Sequence, residues 1–236
     1  MGSGILLLLS SMAAALEAMR SGSSPLLVKD VEYCLVPIAN VEALATHFEN
    51  IHEAADAYYE SERYRRYGVV SRTEEGWSLV RAGRFVQSSA YNKYLGDKIR
   101  AYAPLRAQDV ASPEFQALLD RFAASVAHAT PEVHVHQIRV CCDASSTNLV
   151  PEGVHQDGYD SVAIACIDRH AVQGAVTSLR KARDADPHFV FELPPGNMIV
   201  FDDRRLWHDV SPMLAAPGAT KGYRDIYALL AHDSEG

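Results

Sequence analysis

The chain has 236 residues, of which 48% are hydrophobic and 22% charged, and its 22 basic and 30 acidic side chains give a formal net charge of -8. That length allows one well-buried domain. The acidic balance, with no basic stripe, argues against a nucleic-acid or anionic-membrane partner and leaves small-molecule chemistry or a protein partner, with a homo-oligomer open.

Residues 1–25 read as an N-terminal extension. The apolar run Ile5 to Leu9 has no basic residue before it, the first being Arg20, and is too short to span a membrane. Leu6 to Met19 is expected to form an amphipathic helix, ended by the breaker Ser21-Gly22-Ser23-Ser24-Pro25. Residues 26–236 are expected to form a single domain, with helical support over 26–130 and a β core over 131–236.

Val41 to Arg63 follows Asn40, a fair N-cap, and spaces Leu44, Phe48, Ile51 and Ala55 as a helix does. A second helix opens at Ser112-Pro113, serine as cap and proline at the first helical position. Its apolar stripe is Phe115, Leu118, Leu119, Phe122 and Val126. Both stripes are expected to face a core.

From about Pro131 the period changes to two. Strands are predicted over Val133 to Cys142, Ser161 to Ile167, His188 to Leu193, Met198 to Phe201, Leu206 to Val210 and Tyr223 to Leu230. Strands this short, separated by turn clusters such as Pro194-Pro195-Gly196-Asn197, suggest an antiparallel sandwich or jelly roll with helices packed outside, an α+β chain. Cys34, Cys141, Cys142 and Cys166 show no metal-binding spacing and read as reduced thiols of a cytoplasmic protein.

The chemistry concentrates in Val154-His155-Gln156-Asp157-Gly158. Residues two apart on a strand share a face, so His155 and Asp157 can offer an imidazole and a carboxylate to one point. His208, in the strand-like Leu206 to Val210, supplies a third ligand. Two histidines and one carboxylate leave open positions on an iron(II) ion. Zinc, with three protein ligands and a water, fits the same donors.

Arg224 favours iron. It shares a strand face with Ile226, Ala228 and Leu230, so it is expected to point inward, where a guanidinium needs an anionic partner. A dianionic cosubstrate would provide one, gripped by two parallel hydrogen bonds. A salt bridge to Asp209 or Asp225 is the ordinary alternative.

These segments resemble the iron(II)/2-oxoglutarate dioxygenases, and in particular the bacterial family that hydroxylates free L-amino acids. Pro151-Glu152-Gly153-Val154-His155-Gln156-Asp157-Gly158 is similar to that family's PEGxHxDG segment. Phe201 to Pro212 resembles its DDRRLxHxVSP segment, Tyr223-Arg224-Asp225 its closing arginine strand, and His136-Gln137-Ile138-Arg139 its opening strand. The likeness covers about 131–230. It departs at Gln156, where relatives tend to have arginine, and at Ala175-Val176-Thr177-Ser178 after Gly174, where a second glycine is usual.

The resemblance implies a double-stranded β-helix core, cupin-like, with flanking N-terminal helices. It implies Fe(II) on His155, Asp157 and His208, and 2-oxoglutarate and O2 as cosubstrates, with Arg224 on the distal carboxylate. The implied reaction hydroxylates a C–H bond and releases succinate and CO2. Arg139 shares a face with Gln137, and both are candidates for cosubstrate or substrate contact. Glu152 is a candidate for a substrate ammonium and Arg84 for a substrate carboxylate. Alternatives are an oxygenase of another small metabolite or a carrier-bound amino acid, a zinc hydrolase, and a non-catalytic barrel. His134 and His136 make a second HxH pair with no carboxylate beside it and read as structural, and Trp207 as packing.

Overall fold

The computed structural model describes residues 32–126 and 129–233, so the expected helix over Leu6 to Met19 and the breaker after it lie outside the described residues. The first half runs β1 (Tyr33–Pro37), α1 (Val41–Thr46), β2 (Arg63–Thr73), β3 (Gly76–Ala82), β4 (Arg84–Phe85), β5 (Arg100–Ala101), β6 (Ala103–Pro104), α2 (Ala107–Val110) and α3 (Pro113–Ser125). The second half is strand: β7 (Glu132–Cys142), β8 (Ser161–His170), β9 (Val172–Gly174), β10 (Thr177–Arg180), β11 (Phe189–Phe191), β12 (Asn197–Asp202), β13 (Trp207–Val210), β14 (Met213–Ala215) and β15 (Gly222–Ala231).

One large sheet has the order β1-β12-β8-β15-β7-β2-β3, with β6 beside β2. All its pairings are antiparallel except β2 with β6. The smaller sheets are β11-β10-β13, β14-β9 and β4-β5, the first two extended by single bridges of His155 to His208 and Thr147 to Met213. This is the double-stranded β-helix expected of the sequence.

Alternation along the strands divides the interior in two. Val135, Ala163, Val200, Tyr227 and Leu229 join the helix side, packed with Phe48, Phe115 and Leu119. Val162, Ile199 and Phe201 point the other way, to meet Leu179 and Phe189 of the smaller sheet. Helix α3 forms as its sequence predicts: the Ser112 hydroxyl accepts from the Phe115 N–H at 3.3 Å, and Phe115, Leu118, Leu119 and Phe122 are buried. Burying each such side chain contributes roughly 1.5–3 kcal/mol.

Two expectations for the N-terminal half are corrected. The helix predicted over Val41 to Arg63 stops at Thr46, followed by a short 3-10 turn at Ile51–Glu53. Asn40 sits in the left-handed region (φ 54°) and makes no side-chain cap, yet Leu44, Phe48 and Ile51 are still buried because the two turns together present them. The region 26–130 is also not merely helical support, since β1, β2 and β3 belong to the main sheet. Strand β2 escapes a hydrophobic count because Arg63, Arg65 and Arg66 are buried in it.

Candidate active site

His155 and His208 meet through a backbone bridge, each N–H donating to the other's carbonyl at 3.0 and 2.9 Å. Exchange of both bonds brings the two residues directly opposite each other, on one side of the ladder. His155 is not on an extended strand as the spacing suggested; beyond the bridge the chain turns into a loop. Asp157 comes from that loop. Its Oδ1 lies 3.7 Å from His155 Nε2 and its Oδ2 3.5 Å from His208 Nε2.

The loop is shaped by Asp203, which is 1% exposed. Its carboxylate accepts from the backbone N–H groups of Asp157 (3.1 Å), Gly158 (2.8 Å) and Tyr159 (3.3 Å). Gly158 has φ 85° and lies against the Tyr91 ring, 2.4 Å from where a Cβ would stand, so both conformation and space require glycine. Gln87 locks the carboxylate from the other side. Its Nε2 donates to the Asp157 carbonyl at 2.8 Å and to Oδ1 at 3.3 Å. Its own oxygen accepts from Asn92 (3.0 Å) and Arg100 (3.2 Å), which fixes the amide's orientation.

Charge follows from this packing. Burial alone would raise the Asp157 carboxyl, but the hydrogen bond and charge of His208, with His155 and His136 beyond, hold it well below the usual carboxylate range. Burial would lower His208, and Asp157 overrides it and raises the imidazole. His155 is lowered, by burial and then by the neighbouring His208. Its Nδ1 donates to the Gly153 carbonyl at 2.9 Å, which leaves Nε2 as the lone-pair nitrogen toward Asp157.

A pocket opens from these three residues between the sheets. One wall is the inward face of β15, Arg224, Ile226, Ala228 and Leu230. Arg224 is 3% exposed, and among the described residues its Nε and Nη2 have no hydrogen-bond partner. Neither Asp209 nor Asp225 pairs with it; Asp225 pairs with Arg139. Burial pulls the Arg224 guanidinium below its usual value.

Residues 45–229 match the family model of the 2OG-Fe dioxygenases. The chain belongs to the 2OG-Fe dioxygenase family.

No curated protein sequence matches this dioxygenase. Among solved structures it is similar to a BsmA homologue from Methylobium petroleophilum, with TM-score 0.68 and 23% identity over 94% of this chain and 93% of that one. IDO from Bacillus thuringiensis superposes with TM-score 0.64 and 16% identity over 84% of this chain and 92% of that one. The Fe(II)/α-ketoglutarate-dependent dioxygenase TqaL gives 0.55 and 15% over 83% and 74%. At these identities the likeness is one of fold.

Membership brings Fe(II), 2-oxoglutarate and O2 as cofactors. The residues present fit the metal. His155, Asp157 and His208 are the only group of three or more possible ligands found among the described residues, with donor atoms within 4.8 Å of one another. Donors 3.5–3.7 Å apart can both reach one ion at about 2.1 Å. Two imidazoles and one carboxylate are a donor set suited to Fe(II).

The other expected site residues divide. Glu152 lines the pocket, and its Oε2 has no hydrogen-bond partner among the described residues. Gln137 and Arg139 do not reach the pocket, because on β7 the inward positions are His136, Ile138 and Val140. Gln137 instead donates to the His47 carbonyl at 3.0 Å, and Arg139 pairs with Asp225 and stacks on Tyr223. Arg84 is exposed; alternation on β4 turns Phe85 inward in its place. His134 is structural, its Nδ1 meeting the hydroxyls of Tyr67 (2.8 Å) and Tyr159 (3.0 Å). His136 faces the pocket and is kept neutral, chiefly by burial and then by Arg65.

Sequence reading missed Gln87, Arg100, Asp203 and Arg63. Asp203 stood inside a family-like segment with no role attached. Gln87 and Arg100 come together only through the β4–β5 pairing, which sets Phe85 opposite Arg100.

Proposed function

We propose that this dioxygenase hydroxylates a C–H bond of a free L-amino acid, with Fe(II) held by His155, Asp157 and His208. The overall reaction balances as substrate plus 2-oxoglutarate plus O2 giving hydroxylated substrate, succinate and CO2. The observation that carries the cosubstrate reading is Arg224, a buried guanidinium with unsatisfied donors that faces the same pocket as the His–Asp–His group. A carboxylate is the partner its geometry fits, because two parallel N–H···O bonds match the planar fork.

Bound Fe(II) and 2-oxoglutarate supply the oxidising chemistry, and the chain's own residues position it. Asp157 stays anionic. His155 presents Nε2 because Gly153 holds its other nitrogen. The neutral His136 adds no charge to repel a cation. Apolar side chains such as Ile138, Ile164 and Leu230 keep the pocket dry. Glu152, with one oxygen unsatisfied, supports a substrate that carries an ammonium group.

Incubation with Fe(II), 2-oxoglutarate and each common L-amino acid, followed by measurement of succinate, tests the reading. Stimulation by at least one free amino acid is expected. Equal succinate with and without every amino acid would reject the substrate class while leaving the family untouched.

A further inference from the structure

The pocket holds a second arginine whose charge the iron and cosubstrate reading leaves unused. Arg63 opens β2 and is 6% exposed. It stands opposite Val140 of β7, and on the far side of Val140 stands Arg224 of β15. Arg63, Val140 and Arg224 therefore form one row across three strands, and all three line the pocket. Neighbouring strands are about 4.8 Å apart, so the two arginine Cα atoms are separated by roughly 10 Å.

Their guanidiniums have different surroundings. Arg224 lies near Cys166 and Arg169. Arg63 lies over the Tyr59 ring, 4.0 Å from its centroid, and donates through Nη2 to the Leu149 carbonyl at 2.6 Å. These contacts hold the group but do not neutralise it. Among the described residues its Nε has no hydrogen-bond partner, and no carboxylate forms an ion pair with it. Of the other inward arginines, Arg65 pairs with the buried Asp56 at 3.1 Å, while Arg100, over the Phe85 ring, donates to the Gln87 oxygen and so belongs to the group that orients Asp157.

Glu152 lines the same pocket; its carboxylate accepts from Asn92 at 3.4 Å, and among the described residues its Oε2 has no hydrogen-bond partner. The charges of Glu152 and Asp56 both favour the Arg63 cation, but among the described residues no ion pair or hydrogen bond joins Arg63 to Glu152, so each keeps a buried polar atom free for a ligand. One ligand satisfies both: a zwitterion with a carboxylate and an ammonium on neighbouring atoms.

We infer that Arg63 anchors the substrate's α-carboxylate while Glu152 takes its ammonium, so that the enzyme accepts a free α-amino acid and rejects its amide or thioester. The assignment rests on the amino-acid reading above and narrows it. An amide or a carrier thioester has no anionic oxygen for Arg63 and would leave the buried guanidinium without a counter-charge. Tyr59, clamped beneath the guanidinium, stiffens the anchor.

The test uses the protein loaded with Mn(II) and 2-oxoglutarate, so that binding is read without turnover. Calorimetric titration with the common L-amino acids, and with the amide of each one that binds, should show acid binding roughly 30-fold or more tighter than amide. Arg63→Met should bring the acid down to the amide's affinity, while 2-oxoglutarate binds as in the wild type. Arg63→Lys should keep part of the preference for the acid. Equal wild-type affinity for acid and amide, or full acid affinity in Arg63→Met, would overturn the Arg63 assignment and leave the amino-acid reading standing. Loss of 2-oxoglutarate binding in both variants would move Arg63 to the cosubstrate and overturn it too. Binding of 2-oxoglutarate but of no amino acid by the wild type would take down the amino-acid reading, and this assignment with it.

Discussion

His155 and His208 are bound to each other through their backbones, and their ring centroids lie 4.2 Å apart. One bridge thus sets two of the three donors, and it does so between rigid backbone groups. The third donor, Asp157, has no ladder of its own. It depends on Asp203 beneath the loop and on Gln87 above the carboxylate.

Asp157→Ala should lower divalent-metal affinity by more than about 100-fold, because even residues that only support a metal ligand cost 10–100-fold. Metal content after dialysis and the far-ultraviolet circular dichroism check this together. Loss of metal with an unchanged spectrum is the expected result; retained metal would remove Asp157 from the ligand set.

Gln87→Ala frees the Asp157 carboxylate to turn while leaving all three ligands in place. A fall of about 10–100-fold in Fe(II) affinity is expected. Titration with Fe(II) under anaerobic conditions reads it, and an affinity equal to the wild type would make Gln87 a packing residue only.

Arg224→Ala should weaken 2-oxoglutarate binding by about 10–100-fold, the size of a charge-assisted contact, and leave metal affinity as it was. Equilibrium titration of the Mn(II)-loaded protein separates the two. If 2-oxoglutarate binds the variant as tightly as the wild type, the inward guanidinium serves another ligand.

His134 should make stability pH-dependent. Burial first, then the charges of Arg81 and His232, lower its pKa from 6.5 to about 4. The unfolded chain takes up a proton at about pH 6.5 that the native chain refuses until about pH 4. Stability from this group is therefore complete above about pH 6.5 and falls as the pH drops toward 4, by on the order of 3 kcal/mol. Asp225, raised to about 6 by burial against the opposing effect of Arg139, works in the other direction, so a difference measurement is needed. Urea unfolding of wild type and His134→Gln from pH 7 to 4.5 should show the flatter profile in the variant; parallel profiles would refute it.

The two ends of the chain differed in how readable they were. Strands β9, β10 and β14, three or four residues each, are too short to show a period, whereas the long strands β7, β8, β12 and β15 announce themselves because their buried positions are mostly apolar. Strand β2 does not, since its inward row begins Arg63, Arg65, and arginines read as surface in any hydrophobic count. The site divides the same way. His155, Asp157 and His208 lie in short, recognisable segments, whereas Gln87 and Arg100 act through one hairpin whose strands are only two residues long.

The parity of β7 marks a further limit. Gln137 and Arg139 share one face and His136, Ile138 and Val140 the other, and spacing alone says only that the faces differ. Which one looks inward was decided by packing. Tyr227, opposite Gln137, joins the core beneath the helices, and that turns His136 toward the pocket.

By itself the sequence determined the periodicity of the core strands, the capped helix α3, the histidines and aspartate able to hold a metal, and the inward parity of Arg224 with Ile226, Ala228 and Leu230. These are local properties of spacing and residue type. Only the tertiary structure decided which face of β7 is inside, that Asp157 comes from a loop, that Gln87 and Asp203 steady it, and that Arg63 and Arg224 stand in one row with no ion pair among the described residues. Each of those depends on which strands lie side by side, and strand order is set by long-range packing.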